Sequence, residues 1–341
     1  MTNLMTDLSG QWSKWDSQLE ELLVQLVDSS SHSIMTEMLL RHIKTGGKRL
    51  RAKLCMEVHG ALGGDGVSAL PVGAACELFH NATLIHDDIQ DGDKVRRAQP
   101  TLWTQFGMNQ AINAGDMMLL LPVNALQKMR ASDRMKWKVS EALMLSAQKV
   151  VMGQALEPQL LQDLEQDIGF EKLMFNYLQC IEGKTSELFS FSAVASGLLL
   201  EKSEEELEGL KKIFQSIGTA FQIQDDILDL YGDKGRESAG QDLKEGKVSV
   251  LVVQHCQKSP TEKKRLVQLL RTSREQTSEQ EVQWAIESFR RSGALKQSLE
   301  LMNHYLLLER ESQLLEKYPM LKMLTNDFAK KITEPISFLL H

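Results

Sequence analysis

Apolar residues recur at helical spacing through nearly every long segment of this 341-residue chain, and that periodicity limits the possible folds more than any other feature. In "WDSQLEELLVQLVDS", Leu19, Leu22, Leu23 and Leu26 take the i, i+3, i+4 and i+7 places that make one face of a helix. Leu, Met, Ala, Gln and Glu dominate and β-branched residues are sparse, so the expected fold class is all-α. Further helices are expected near 34–43, 49–62, 69–91, 108–131, 135–165, 170–199, 203–231, 247–257, 261–272, 276–293, 296–317 and 320–334. Breaks fall where Gly, Asp and Pro collect, at 63–66, 91–101 and 231–242. The seven Pro are scattered and no Ser/Gly/Pro-rich linker divides the chain, so one domain over 1–341 is expected.

A formal charge of −7 argues against nucleic acid as a partner, because phosphate-backbone binding needs a basic face. Local basic clusters such as "GGKRLR" then serve something small. Cys55, Cys76, Cys180 and Cys256 are far apart, lack CxxC spacing and sit among apolar residues, which reads as reduced core thiols. No eighteen-residue apolar run occurs and the N-terminus lacks a charged region followed by an apolar one. A cytoplasmic protein that does not span a membrane is expected.

"LIHDDIQD" (84–91) and "QIQDDILD" (222–229) repeat DDxxD inside an apolar helical pattern. Residues i and i+4 project from one face of a helix, so Asp87 pairs with Asp91 and Asp225 with Asp229. One such motif alone is as readily a helix cap as a ligand set. Two make capping a poor explanation, and carboxylates that crowded call for a counter-charge. Mg²⁺ suits them, since it binds through a few carboxylates and keeps positions for water and phosphate oxygens. The two clusters are expected to face each other across a bundle and to grip a diphosphate. Lys48, Arg49, Arg51, Arg96, Arg97, Lys184, Lys244 and Lys247 then gain a purpose, Arg gripping phosphate bidentately and Lys as a point charge.

Read in order, "GGKRLR" (46–51), "LIHDDIQDGDKVRR" (84–97), "GQALE" (153–157), "GKTSEL" (183–188), "FQIQDDILD" (221–229) and "GQDLKEGK" (240–247) resemble the trans-isoprenyl diphosphate synthase family. The resemblance runs from about residue 40 to 255, and the last ninety residues match only as generic helices. It implies a single-domain isoprenoid synthase helical bundle around a central cavity, working as a homodimer. It implies a head-to-tail (1'-4) condensation of isopentenyl diphosphate with an allylic diphosphate, assisted by three Mg²⁺ ions. By motif match Asp87, Asp91 and Asp225 would ligate metal, with Asp88, Asp226 and Asp229 as ligands or close supports. Arg96, Lys184 and Lys247 would hold the allylic diphosphate. Lys48, Arg51, His80 and Arg97 would hold isopentenyl diphosphate, although on its residues alone His80 also reads as an ordinary core histidine. Thr185 and Gln222, with Lys184, would face the carbocation. The family's Gly-Lys pair is replaced by "GRESAGQD", which puts Arg236 near the lysine's place one residue out of register.

Counting back from Asp87 gives Thr83, Ala82 and Phe79 as the channel wall that sets product length. Ala82 and Thr83 are small where farnesyl-producing relatives often carry an aromatic residue. Phe79 is a deeper candidate floor, with Met117, Met118 and Met152 as others. A geranylgeranyl product is expected, with longer chains and then farnesyl as alternatives. A class I terpene cyclase would replace the second DDxxD and leave "GGKRLR" idle, a non-catalytic subunit would lose one cluster, and a head-to-head synthase would lack the "GGKRLR" pocket.

Overall fold

The computed structural model describes residues 15–28, 34–232, 239–308 and 312–339. It is all-α apart from one short hairpin among these residues, and it packs as two compact units. The first comprises residues 1–147 with 191–210, the second 148–190 with 211–341.

The first unit contains α1 (Asp16–Asp28), α2 (Ile34–Lys44), α3 (Leu50–Ala61), α4 (Leu70–Gln90), strands β1 (Val95–Arg96) and β2 (Gln99–Pro100), α5 (Leu102–Phe106), α6 (Met108–Leu120) and α7 (Pro122–Gln127). Helix α4 is its axis and packs against α1, α3, α6 and α7. Every residue from Val72 to Phe79 is buried, which small side chains make possible. A Cβ added at Gly73 would lie 2.9 Å from the Ala52 carbonyl oxygen, so only glycine lets α3 and α4 approach this closely. The helix expected over 108–131 is broken, because Pro122 has no N–H to continue α6 and instead starts α7.

Helices α8 (Asp133–Glu165), α10 (Glu187–Leu199) and α11 (Glu204–Tyr231) have residues in both units. The second unit adds α9 (Phe170–Ile181), a π-helical turn at Glu182–Ser186, α12 (Gln241–Lys244), α13 (Val250–Lys258), α14 (Lys263–Arg271), α15 (Glu279–Ser292), α16 (Ala294–Leu308), α17 (Gln313–Lys317) and α18 (Pro319–Thr333). Helix α13 is buried from Val250 to His255 and packs on α9, α15 and α16. Helix α15 opens on Ser278, whose side chain accepts from the Glu281 N–H, and closes on Gly293 at φ 83°. The helix expected over 170–199 carries the π turn in its middle, on the "EGKTS" residues, and such an insertion commonly marks a working part of a helix. All four cysteines are free thiols and three are buried.

Candidate active site

In the first unit, the end of α4 and the hairpin after it gather most of the predicted diphosphate-binding groups. Asp87 and Asp91 are half-buried, one turn apart, and the Asp91 N–H donates to the Asp87 carbonyl at 2.8 Å, so helical geometry holds through both carboxylates. Asp88 points inward, as residue i+1 must, and only 2 % of it is exposed. Burial lifts its carboxyl to a pKa of about 6 against the pull of Arg96, whose Nε donates to it at 2.5 Å. Asp88 is therefore a partner of Arg96 rather than an open ligand, and these two opposite charges pair directly.

Arg97 and Ala98 form the two-residue loop of the hairpin, both at positive φ (52° and 60°), which matches the right-handed twist of paired strands. That loop brings the exposed Arg97 onto the "TGGKR" turn, where its guanidinium donates to the Gly46 carbonyl. A Cβ at Gly47 would meet the Arg97 guanidinium carbon at 2.7 Å, so the second glycine of "GGKRLR" is the surface on which Arg97 rests. Arg51 donates to His80 Nε2 at 3.1 Å. Burial, followed by the charges of Arg51, Arg97 and Arg96, holds His80 well below the usual histidine range, so its ring is neutral and Nε2 accepts. Lys48 is exposed beside them. Arg49 differs from its neighbours: it is buried and tied to Glu20 at 2.6 Å, Glu77 at 3.4 Å and the Ile43 carbonyl at 2.7 Å, so it belongs to the core.

Along α4 the partly open stripe runs His80, Thr83, Leu84, Asp87 and Asp91. Of the wall residues, Thr83 lies on that stripe, whereas Ala82 has no exposed surface and Phe79 has 2 %. Met118 is fully buried, Met117 half-buried, and Met152 is 67 % exposed, which removes it as a channel floor.

In the second unit the π turn places Lys184 and Thr185. Gly153 of α8 and Gly183 meet there without side chains: a Cβ at Gly153 would lie 2.5 Å from the Lys184 nitrogen, and one at Gly183 would lie 2.7 Å from the Lys149 carbonyl oxygen. This contact explains the glycines of "GQALE" and "GKTSEL". Lys184 Nζ reaches Glu157 at 2.6 Å. Thr185 Oγ1 donates to Gln222 Oε1 at 2.6 Å, and Gln222 Nε2 donates to Asp226 Oδ1 at 3.0 Å. Asp226 Oδ2 accepts from the Tyr177 hydroxyl at 2.7 Å and from the Val250 N–H at 2.9 Å. Burial, then the charge of Asp242, raises the Asp226 carboxyl to about 7. Both its oxygens are engaged inside the protein, so Asp226 supports the helix end and orients Gln222. Tyr177, unnoticed in the sequence, is the far anchor of this relay.

Asp229 is also turned inward and accepts from the Asp242 N–H at 3.1 Å, whereas Asp225 stays half-buried. Lys247 pairs with Glu245 at 2.8 Å and Lys244 with Glu279 at 2.6 Å. Arg236 lies outside the described residues.

Of the six aspartates in the two DDxxD motifs, Asp87 and Asp91 in the first unit and Asp225 in the second are half-buried, and all are hard oxygen donors. Among the described residues no three His, Cys, Asp or Glu side chains form a closed metal cage. Mg²⁺ needs none, since it ordinarily takes one or two protein carboxylates and completes its shell with water and phosphate oxygens. Asp87 and Asp91 in the first unit, and Asp225 in the second, are each donors of the kind that ion takes.

Known proteins resemble this chain in sequence and in fold. A family model described as "Polyprenyl synthetase" matches residues 32–289. The short chain isoprenyl diphosphate synthase of Methanocaldococcus jannaschii is 36% identical over 246 residues, 71% of this chain and 72% of the relative. The geranylgeranyl diphosphate synthase of Saccharolobus solfataricus is 32% identical over 230 residues, 65% of this chain and 66% of its own. Two solved structures are similar over nearly the whole chain. The geranylgeranyl pyrophosphate synthetase of Pyrococcus horikoshii has TM-score 0.81, 26% identity, and coverage of 95% of this chain and 98% of that one. The polyprenyl synthase of Caulobacter crescentus, solved with calcium and isoprenyl diphosphate, has TM-score 0.79, 26% identity, and coverage of 93% and 94%. This chain belongs to the polyprenyl synthetase family and is a prenyltransferase that lengthens prenyl diphosphates head to tail.

Proposed function

We propose that the chain is one synthase domain over 1–341 that makes geranylgeranyl diphosphate from isopentenyl diphosphate and a shorter allylic diphosphate. The observation that carries the reading is the ordered relay from Tyr177 through Asp226 and Gln222 to Thr185. Its polarity commits the Thr185 proton to Gln222, so the hydroxyl oxygen offers a lone pair to a developing carbocation. Neither side chain is basic enough to take the departing proton, and the released diphosphate is the better acceptor.

Asp87, Asp91 and Asp225 would hold Mg²⁺, three ions per site, with Asp88, Asp226 and Asp229 behind them. Bound there, the ions would offset the negative charge that grows on the leaving diphosphate. Arg96, Lys184 and Lys247 hold the allylic diphosphate, and Arg236 joins them. Lys48, Arg51 and Arg97 hold isopentenyl diphosphate, with neutral His80 donating from Nδ1 while Arg51 occupies Nε2. The Caulobacter crescentus relative was solved with calcium and isoprenyl diphosphate, which supports a divalent metal and a prenyl diphosphate as the ligands here. The names of the Saccharolobus and Pyrococcus relatives support the product, as does an absence of bulk at Thr83 on the open stripe of α4.

A homodimer is part of the reading. Helix α8 carries Trp137, Met144 and Val151 at intervals of seven, with Leu145 and Met152 beside them, all exposed. An apolar heptad stripe of that kind is what a second copy of the same helix would cover. No helix among the described residues is long and apolar enough to cross a membrane, and a cytoplasmic location is proposed.

The test is incubation with isopentenyl diphosphate, dimethylallyl diphosphate and Mg²⁺, followed by chromatography. A linear twenty-carbon diphosphate is expected. Cyclic hydrocarbons would replace the reading with a cyclase, and a longer or shorter linear product would overturn the chain-length assignment alone.

A further inference from the structure

Glu245 is almost fully buried, with 7% of its side chain exposed, and it faces two cations. Oε2 sits 2.8 Å from Lys247 Nζ and Oε1 is paired with the Arg274 guanidinium. Arg274 comes from the loop after α14, outside the six family motifs of the sequence. The backbone between these groups is fixed. Lys247 N–H donates to the Asp242 carbonyl and Glu245 N–H to the Gln241 carbonyl, both at 2.9 Å. Gly246 stands at φ 75°, and a Cβ there would lie 2.6 Å from the Leu270 carbonyl oxygen at the end of α14. The turn therefore presses on the helix that leads into Arg274, and the three side chains keep one arrangement.

That arrangement sets up a competition. A carboxylate this buried needs a cation, because leaving it unpaired costs more than the pair itself contributes. To grip a diphosphate, Lys247 must turn from Glu245, and the move is easy only if a second cation remains on the carboxylate. We propose that Glu245 competes with the allylic diphosphate for Lys247, and that Arg274 is a positioning residue that retains Glu245 when Lys247 is released. The proposal rests on the reading of Lys247 as an allylic-diphosphate ligand.

Steady-state kinetics with both substrates varied, on Arg274→Gln, Arg274→Lys, Glu245→Gln, the Glu245→Gln/Arg274→Gln pair and Lys247→Ala, provides the test, with thermal melts to confirm folding. Arg274→Gln is expected to raise KM for the allylic substrate about tenfold, the scale of one charge-assisted hydrogen bond, with KM for isopentenyl diphosphate unchanged. Arg274→Lys should recover most of that loss. Adding Glu245→Gln should bring the allylic KM of the double variant to within about twofold of the Glu245→Gln single variant, a non-additivity that general damage to the loop does not produce. Additive effects in the double variant, or an unchanged allylic KM in Arg274→Gln, would overturn the proposal. An unchanged allylic KM in Lys247→Ala would show that the underlying reading of Lys247 has failed and would take the proposal with it.

Discussion

Replacing Asp226 with Asn separates two roles that its place in DDxxD leaves mixed. The carboxylate accepts three hydrogen bonds, from Tyr177 and Val250 on one oxygen and from Gln222 on the other. An asparagine has one acceptor oxygen, and two donors already converge on the Oδ2 position. Its NH2 group must then face Gln222 Nε2, where two donors repel. Gln222 relieves this by turning its amide over, which puts Nε2 where Oε1 now stands, 2.6 Å from Thr185 Oγ1. The Thr185 proton loses its acceptor and swings toward the substrate, so a lone pair facing the carbocation becomes a positive hydrogen.

The magnitudes favour a folded but slow enzyme. Exchanging three charge-assisted bonds for neutral ones loses about 1 kcal/mol each. Removing a buried carboxylate also removes its desolvation penalty, which offsets that loss, so stability moves little. Reversing one hydrogen-bond dipole at the reacting centre is worth about 1.5–3 kcal/mol, or roughly ten- to a hundredfold in kcat. The assay is initial rate against Mg²⁺ concentration for wild type, Asp226→Asn and Asp225→Asn. Asp226→Asn should lower kcat and leave the Mg²⁺ midpoint in place, while Asp225→Asn should shift the midpoint upward. If Asp226→Asn also shifts it, Asp226 is a ligand and the relay argument is wrong.

Gly153→Ala forces a Cβ against the Lys184 nitrogen at 2.5 Å, an overpacking of about 1–3 kcal/mol, and should lower the midpoint of denaturant unfolding while raising KM for the allylic substrate. Thr83→Phe should shorten the product seen by chromatography, because Thr83 lies on the open stripe of α4, whereas Ala82→Phe, at a site with no exposed surface, should mainly destabilise the protein. His42 has its pKa lowered to about 3 by burial and then by Arg96, Arg97 and Arg49, so it stays neutral in the folded chain while the unfolded chain takes up a proton near 6.5. Its contribution is complete above pH 6.5 and is lost at about 1.4 kcal/mol per pH unit as pH falls toward 3. Urea unfolding at pH 7, 6 and 5 should therefore show a shallower loss for His42→Asn than for wild type, and equal slopes would refute the assignment.

What the sequence disclosed and what it withheld follow from how each residue is fixed. Helices α1, α4 and α11 were legible because a 3.6-residue period survives any tertiary context that buries one face. The i, i+4 relation likewise makes Asp87 and Asp91 a pair from the sequence alone. The hairpin at 95–100 was not legible, since its loop is Arg97–Ala98 rather than the Asn-Gly or Asp-Gly that announces positive φ, and the contacts of Arg97 with Gly46 and Gly47 hold it there instead. The motifs left Asp88 and Asp226 open as ligands or close supports, but a helix turns about 100° per residue, so both point away from the aspartate just before them. Asp88 found Arg96, eight residues on, and Asp226 found Tyr177, forty-nine residues back. The same logic separates Arg49 from Arg51: two positions apart on the chain, one is consumed by Glu20 and Glu77 and the other reaches His80. Residue type announces which chemistry is affordable at a site, whereas long-range partners decide which copy of that residue remains open to a substrate.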